Sequence, residues 1–213
     1  MTIEILKSLE EQVKPSHTAL IIVDVQKDFC ADDGVMARDY GLDVTPIQAT
    51  VPNLNIFIKK ARQIGLFIVW LKEICSLDRL LPNYKAIHGD NNELKLVREG
   101  SDGIEFYDKV VPPMDNEPIV IKRNYDGFEE TELHTVLQSR GIKTLLMTGF
   151  TTSVCVETTA RHGYLKGYYI VLISDCCNAI DPKEHESSIM NISRFFGKVA
   201  TANEIVSIWK SIK

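Results

Sequence analysis

No apolar run in this sequence approaches the roughly 18 residues that a membrane-spanning helix needs, so no span is predicted. No basic tract stands out either. Lysine and arginine number 24 against 29 aspartates and glutamates, a formal net charge of -5. That balance gives no electrostatic footprint for nucleic acid or an anionic membrane, and neither is expected as a partner. The opening residues, MTIEILKSLEEQVKPS, carry Glu early and lack an apolar core followed by small residues, so no signal peptide is expected. Cysteine is scarce: five residues without framework spacing, which predicts a reduced, cytoplasmic protein and not a disulfide scaffold. No G-x-G-x-x-G follows the first strand-like run, which removes the main sign of a dinucleotide-binding oxidoreductase. The five histidines (His17, His88, His134, His162, His185) are scattered and form no metal-ligand signature. No metal or other cofactor is expected. No repeat, low-complexity tract or linker divides the chain, so residues 1–213 read as one domain.

What is present is a strict alternation of strands and helices. Residues 18–25, TALIIVDV, form a nearly continuous apolar, β-branched run, as in a strand buried on both faces. Further strands are predicted at 66–71, 119–121, 144–148, 168–173 and 199–201, with helices at 51–64, 129–140, 154–166, 184–196 and 203–212. Residues 72–118 are broken by proline and glycine and are expected to cover one end of the molecule. The pattern predicts an α/β fold in three layers, α/β/α, around an open, mostly parallel six-stranded sheet of Rossmann-like type. Ligands of such sheets sit outside the carboxyl ends of the strands.

Three reactive side chains fall at that edge. Asp24 ends the first strand, Lys122 ends the third, and Cys155 lies just past the fourth, where a helix begins. Singly, each has an ordinary reading: a buried small hydrophobe for the cysteine, a cap for the aspartate, a solvated lysine. Together, if their strands are neighbours, they can converge on one pocket. Cys155 would be the nucleophile, with its thiolate favoured by the helix N-terminus and by Lys122. Asp24 would take the thiol proton and pass it to a leaving amine. The turn 150–154 would bring backbone N–H groups to an oxyanion, that of Cys155 among them.

The blocks ALIIVDVQKDF, VIKRNYDGFEETEL and TGFTTSVCVETTARHGY resemble, in this order, the isochorismatase-like cysteine hydrolases. The resemblance runs over nearly the whole chain. It implies an Asp24, Lys122, Cys155 triad, a cis peptide at Phe150–Thr151, and an oxyanion hole made by the Thr151 and Cys155 amides. It also implies a homodimer or homotetramer. Branches that hydrolyse a vinyl ether lack the cysteine, so Cys155 argues against them. Nicotinamidases usually carry an Asp-x-His after the second strand; WLKEICSLDRL has none, and Ser153 stands where they commonly have Asp. The cysteine block, with REGSDGIEFYDKVVP and NISRFFGKV, is most similar to the ureide- and carbamoyl-cleaving branch. Its members act on ureidoacrylate, N-carbamoylsarcosine, biuret or triuret.

The expected function is therefore a cysteine-dependent amidohydrolase that cleaves a C–N bond of a small amide or ureide and releases ammonia. The alternatives are a nicotinamidase-type or maleamate-type amidase, or a non-enzymatic interaction module on the same fold. Phe29, Asn91, Tyr125 and Phe128 are the candidate substrate-binding residues, with core or loop packing the alternative for each. His88 reads as a loop residue that could touch substrate. Cys30, Cys75, Cys176 and Cys177 read as buried spectators.

Overall fold

The computed structural model describes residues 5–89 and 94–211. Six strands form a single sheet: β1 (Thr18–Val23), β2 (Phe67–Glu73), β3 (Ile119–Lys122), β4 (Thr144–Phe150), β5 (Tyr169–Asn178) and β6 (Gly197–Ala200). Every pairing is parallel and the order is β3-β2-β1-β4-β5-β6. The chain winds outward from β1 in one direction, then returns to start again at β4 beside it. The switch point thus lies between β1 and β4, where a crevice opens at the carboxyl ends.

β1 explains its own composition. All six residues are buried, and alternate side chains enter two separate apolar clusters. Leu20 and Ile22 pack with Leu54, Phe57 and Ile58 of the Thr45–Gln63 helix and with Trp209 of the Ala202–Ser211 helix. The Phe57 and Trp209 rings stack with centroids 5.5 Å apart. Ala19, Ile21 and Val23 face the opposite layer, with Leu133 and Leu137 of the Leu133–Ser139 helix and Ala160 of the Glu157–Leu165 helix. A strand covered on both sides has no polar face, hence the unbroken apolar run.

Several predicted boundaries move. The helix expected at 51–64 begins at Thr45, and Pro52 lies inside it. Pro52 forfeits one backbone bond, but Ile47, Val51, Leu54 and Ile58 bury the helix face, and that tertiary packing outweighs the break. β5 runs past the predicted end at 173 to Asn178, with a register shift opposite Met147 and Gly149. Ser174 to Cys177 therefore lie within the strand. Cys176 packs in one apolar cluster and Cys177 in the other, as alternation along a strand requires. All five cysteines are free and buried.

One glycine is needed for close approach. Gly149 has φ +104, and a Cβ there would meet the Val23 carbonyl oxygen at 2.1 Å. Only glycine lets β4 press this closely on β1. Among the described residues no helix is long and apolar enough to cross a membrane.

Candidate active site

The register of the sheet builds the site. Val23 pairs with Leu71 on one side and Gly149 on the other, and Glu73 pairs with Lys122. The next residue after β1 is Asp24, held in the left-handed region at φ 49 while its N–H donates to the Leu71 carbonyl. Positive φ is uncommon outside glycine, least so for Asp and Asn, and such residues gather at functional sites. After β4 the Phe150–Thr151 peptide is cis, as the resemblance implies. The chain then makes a π-helical turn, Thr152–Val156, that carries Cys155 and leads into the Glu157–Leu165 helix. The N–H groups of Val154 and Val156 both donate to the Thr151 carbonyl.

This turn is tethered from the Pro182–Asn191 helix. Ser153 Oγ donates to Glu184, and Thr152 Oγ1 lies 2.9 Å from His185 Nδ1. Buried Glu157 anchors the base of the turn by accepting from Ser188 Oγ and Asn191 Nδ2.

The structure brings Asp24, Lys122 and Cys155 together. Lys122 Nζ lies 2.8 Å from Asp24 Oδ2, with both side chains fully buried. The sequence expectation needed β1, β3 and β4 as close neighbours. In fact β2 stands between β1 and β3, and the long Lys122 side chain spans the gap. The intervening strand adds Glu73, an acid that the sequence analysis did not select. Its Oε2 lies 2.7 Å from Lys122 Nζ and accepts a hydrogen bond from the Cys155 thiol at 3.6 Å. Buried Gln26 fixes Glu73 at the backbone. Its side chain donates to the Glu73 carbonyl and accepts from the Glu73 N–H, both at 2.8 Å. The available signal was an acid closing β2, which acquires meaning only once β2 and β3 are paired.

The electrostatics differ from the expected standing thiolate. Burial pushes the Cys155 thiol well above its ordinary range; Lys122 opposes this, while Asp24 and Glu73 add to it. The resting cysteine is thus a neutral thiol, because sealing a thiolate from water costs more than one ammonium shared with two carboxylates returns. Burial also raises the Asp24 carboxyl, to about 7, with Lys122 pulling it down and Glu73 raising it further. Burial alone would lower the Lys122 ammonium, but Asp24, Cys155 and Glu73 hold it well above its usual value. Although Lys122 is within ion-pair distance, neither Asp24 oxygen has a directed hydrogen bond among the described residues. Asp24 is therefore open to accept a proton.

Ligand atoms of Asp24, Glu73 and Cys155 all lie within 4.8 Å of one another, a spacing that a metal could use. The Lys122 ammonium already sits against both carboxylates and supplies the positive charge a cation would bring.

The candidate substrate-binding residues separate. Tyr125 lies beside the cluster: its phenol bonds His88, its ring packs near Tyr84, and burial followed by Glu73 and Cys155 pushes it up to about 12. His88 ends the Pro82–His88 helix and is not a loop residue. Phe29 is buried in the cluster around the Thr45–Gln63 helix. Phe128 stacks on Tyr168 at 5.9 Å and lies 5.3 Å from His162. Both rings are buried in apolar clusters, that of Phe128 being the one that includes Cys155. Asn91 lies outside the described residues.

Comparison with known proteins agrees with this architecture. Residues 18–204 match the model of the isochorismatase domain. A ureidoacrylate amidohydrolase RutB from Enterobacter sp. (strain 638) is 31% identical over 203 residues, covering 88% of this chain and 86% of that protein. The crystal structure of a cysteine hydrolase from Pseudomonas syringae pv. phaseolicola 1448A superposes with a TM-score of 0.85 at 24% identity, over 100% of both chains. That of N-carbamoylsarcosine amidase from Thermoplasma acidophilum gives 0.72 at 25% identity, over 88% of this chain and 97% of its own. Matched from its first strand into its last helix, and carrying its reactive residues where β1, β3 and β4 end, the chain belongs to the isochorismatase family of hydrolases.

Proposed function

We propose that this protein is a cysteine-dependent amidohydrolase that cleaves a C–N bond of a small ureide or amide. The reaction runs through a thioester or thiocarbamate on Cys155. The observation that carries this reading is the convergence of a thiol, a carboxylate with open oxygens and an ammonium in one buried cluster.

Asp24, ionised, accepts the Cys155 proton as the sulfur attacks the substrate carbonyl. The developing oxyanion is received by the Thr151 and Cys155 amides; a single such donor is typically worth about 100- to 1000-fold in kcat. Lys122 pulls the Asp24 carboxyl down against burial, so that it is ionised above about pH 7. The tetrahedral intermediate collapses, Asp24 passes its proton to the nitrogen, and ammonia leaves. A water molecule then gives its proton to Asp24 and its oxygen to the carbonyl carbon. The C–S bond breaks, the acid departs and the thiol re-forms.

The ureide class is favoured by the similarity to a ureidoacrylate amidohydrolase and to an N-carbamoylsarcosine amidase. The test is ammonia release from biuret, ureidoacrylate, N-carbamoylsarcosine, maleamate and nicotinamide, with mass spectrometry of the adduct on Cys155. Turnover and an acyl mass are expected with a ureide and are lost in Cys155→Ala. A Cys155→Ala variant with full turnover refutes the mechanism, and preference for nicotinamide or maleamate refutes the substrate class.

A further inference from the structure

One ammonium, that of Lys122, faces three acidic groups within a cluster sealed from solvent. Asp24 Oδ2 lies 2.8 Å from Nζ and Glu73 Oε2 lies 2.7 Å from it, so neither carboxylate has prior claim to the charge. The Cys155 thiol makes its well-directed hydrogen bond to Glu73, and it also interacts with Asp24, whose oxygens receive no bond of good geometry. Gln26 anchors the Glu73 backbone through its N–H and its carbonyl, which fixes where the side chain begins.

We propose that Glu73 is a positioning residue of the reacting set. It holds the thiol proton in the resting enzyme and, by sharing Lys122 with Asp24, sets the pH above which Asp24 is free to take that proton. The proposal rests on the reading above in which Asp24 is the base and Cys155 the nucleophile.

The charge count makes the coupling unavoidable. With both carboxylates ionised and Lys122 protonated, the buried set carries one net negative charge. One added proton neutralises it, and desolvation favours the neutral set. Asp24 is the member that receives this proton, since its carboxyl is raised to about 7 by burial and, in part, by Glu73. Below that pH Asp24 is occupied and the thiol stays on Glu73; above it the base is ready. A like charge this close raises the Asp24 carboxyl, so removing the Glu73 charge should lower it. Other titratable groups face the set. The Tyr84 and Tyr125 phenols respond to Glu73, but burial raises both above the working range. Cys75 also faces Glu73, and Cys30 faces Asp24; burial raises each thiol. Lys122 is held protonated throughout.

The test needs no substrate. Alkylation of Cys155 by iodoacetamide is followed against pH by peptide mass spectrometry in wild type, Glu73→Gln and Glu73→Asp. Removing the charge while keeping the shape is expected to move the midpoint down by about one pH unit, an order-of-magnitude gain in rate on the rising limb. Glu73→Asp keeps the charge and is expected to hold the midpoint. A Glu73→Gln midpoint that stays in place, or a Glu73→Asp midpoint that moves as far, overturns the proposal. Should Glu73→Gln fail to fold, carboxyl carbon NMR of the wild type decides: Asp24 titrating near neutral pH supports it, and Asp24 titrating in the ordinary carboxylate range overturns it. An inactive substrate panel with a shifted midpoint would defeat the amidohydrolase reading and leave this one standing; the reverse pattern would do the opposite.

Discussion

Asp24→Asn should make this protein more stable and inactive at once. In the folded chain Asp24 is raised from an ordinary 3.8 to about 7. Between those values the native state holds a proton that the unfolded chain has released, so stability falls as pH rises through the window and levels off above it. Three pH units at about 1.4 kcal/mol each set a ceiling of about 4 kcal/mol on the cost of keeping Asp24 charged. Asparagine has the same shape and never ionises. The Lys122 attraction is already contained in the value of about 7, so the gain at about pH 8 is at most about 4 kcal/mol, or roughly 8–16 °C in Tm for a chain of this size. At about pH 4, where folded Asp24 is protonated and the unfolded chain has lost only part of its proton, the gain should be nearly gone. Urea unfolding at the two pH values measures this directly. A variant no more stable than wild type at pH 8, or one whose advantage persists at pH 4, refutes the argument. The outcome bears on catalysis, because a base kept charged against burial is one with strong demand for a proton.

Lys122→Met removes the charge that two buried carboxylates share, and should cost about 3–5 kcal/mol at neutral pH. The loss should shrink as pH falls through about 7 and Asp24 protonates; a pH-independent loss in urea melts would contradict this. Gly149→Ala places a methyl group against the Val23 carbonyl at a positive φ, and should cost about 3 kcal/mol or more. A Tm within about 2 °C of wild type would show that β4 can retreat from β1.

Much of the fold was legible because its signals are local. A strand buried on both faces must be apolar throughout, so the run at 18–25 announced a parallel sheet before any pairing was known. Gly141 and Gly167 follow helix ends and adopt positive φ there, as a C-terminal stop requires. The errors came where packing overrode local preference. Pro52 stays inside a helix because one face of that helix is buried. β5 runs on through Cys176 and Cys177 because β4 lies alongside to pair with Gly149 and Phe150.

The candidate site divides in the same way. Asp24, Lys122 and Cys155 were readable because each sits where its strand ends, and a parallel sheet collects such ends at one edge. That is a consequence of strand direction, which the alternation of helices and strands determines by itself. Glu73 was not readable. It is 49 residues from Lys122 and 82 from Cys155, and an acid at the end of a strand does not by itself mark a site. Its place depends on β2 lying between β1 and β3, a non-local pairing decided by the packing of the whole sheet. The protonation of the site was hidden for the same reason. A helix N-terminus argues locally for a thiolate, but the number of carboxylates that share one ammonium, and how completely water is excluded from them, is settled only when distant segments have closed over the cluster.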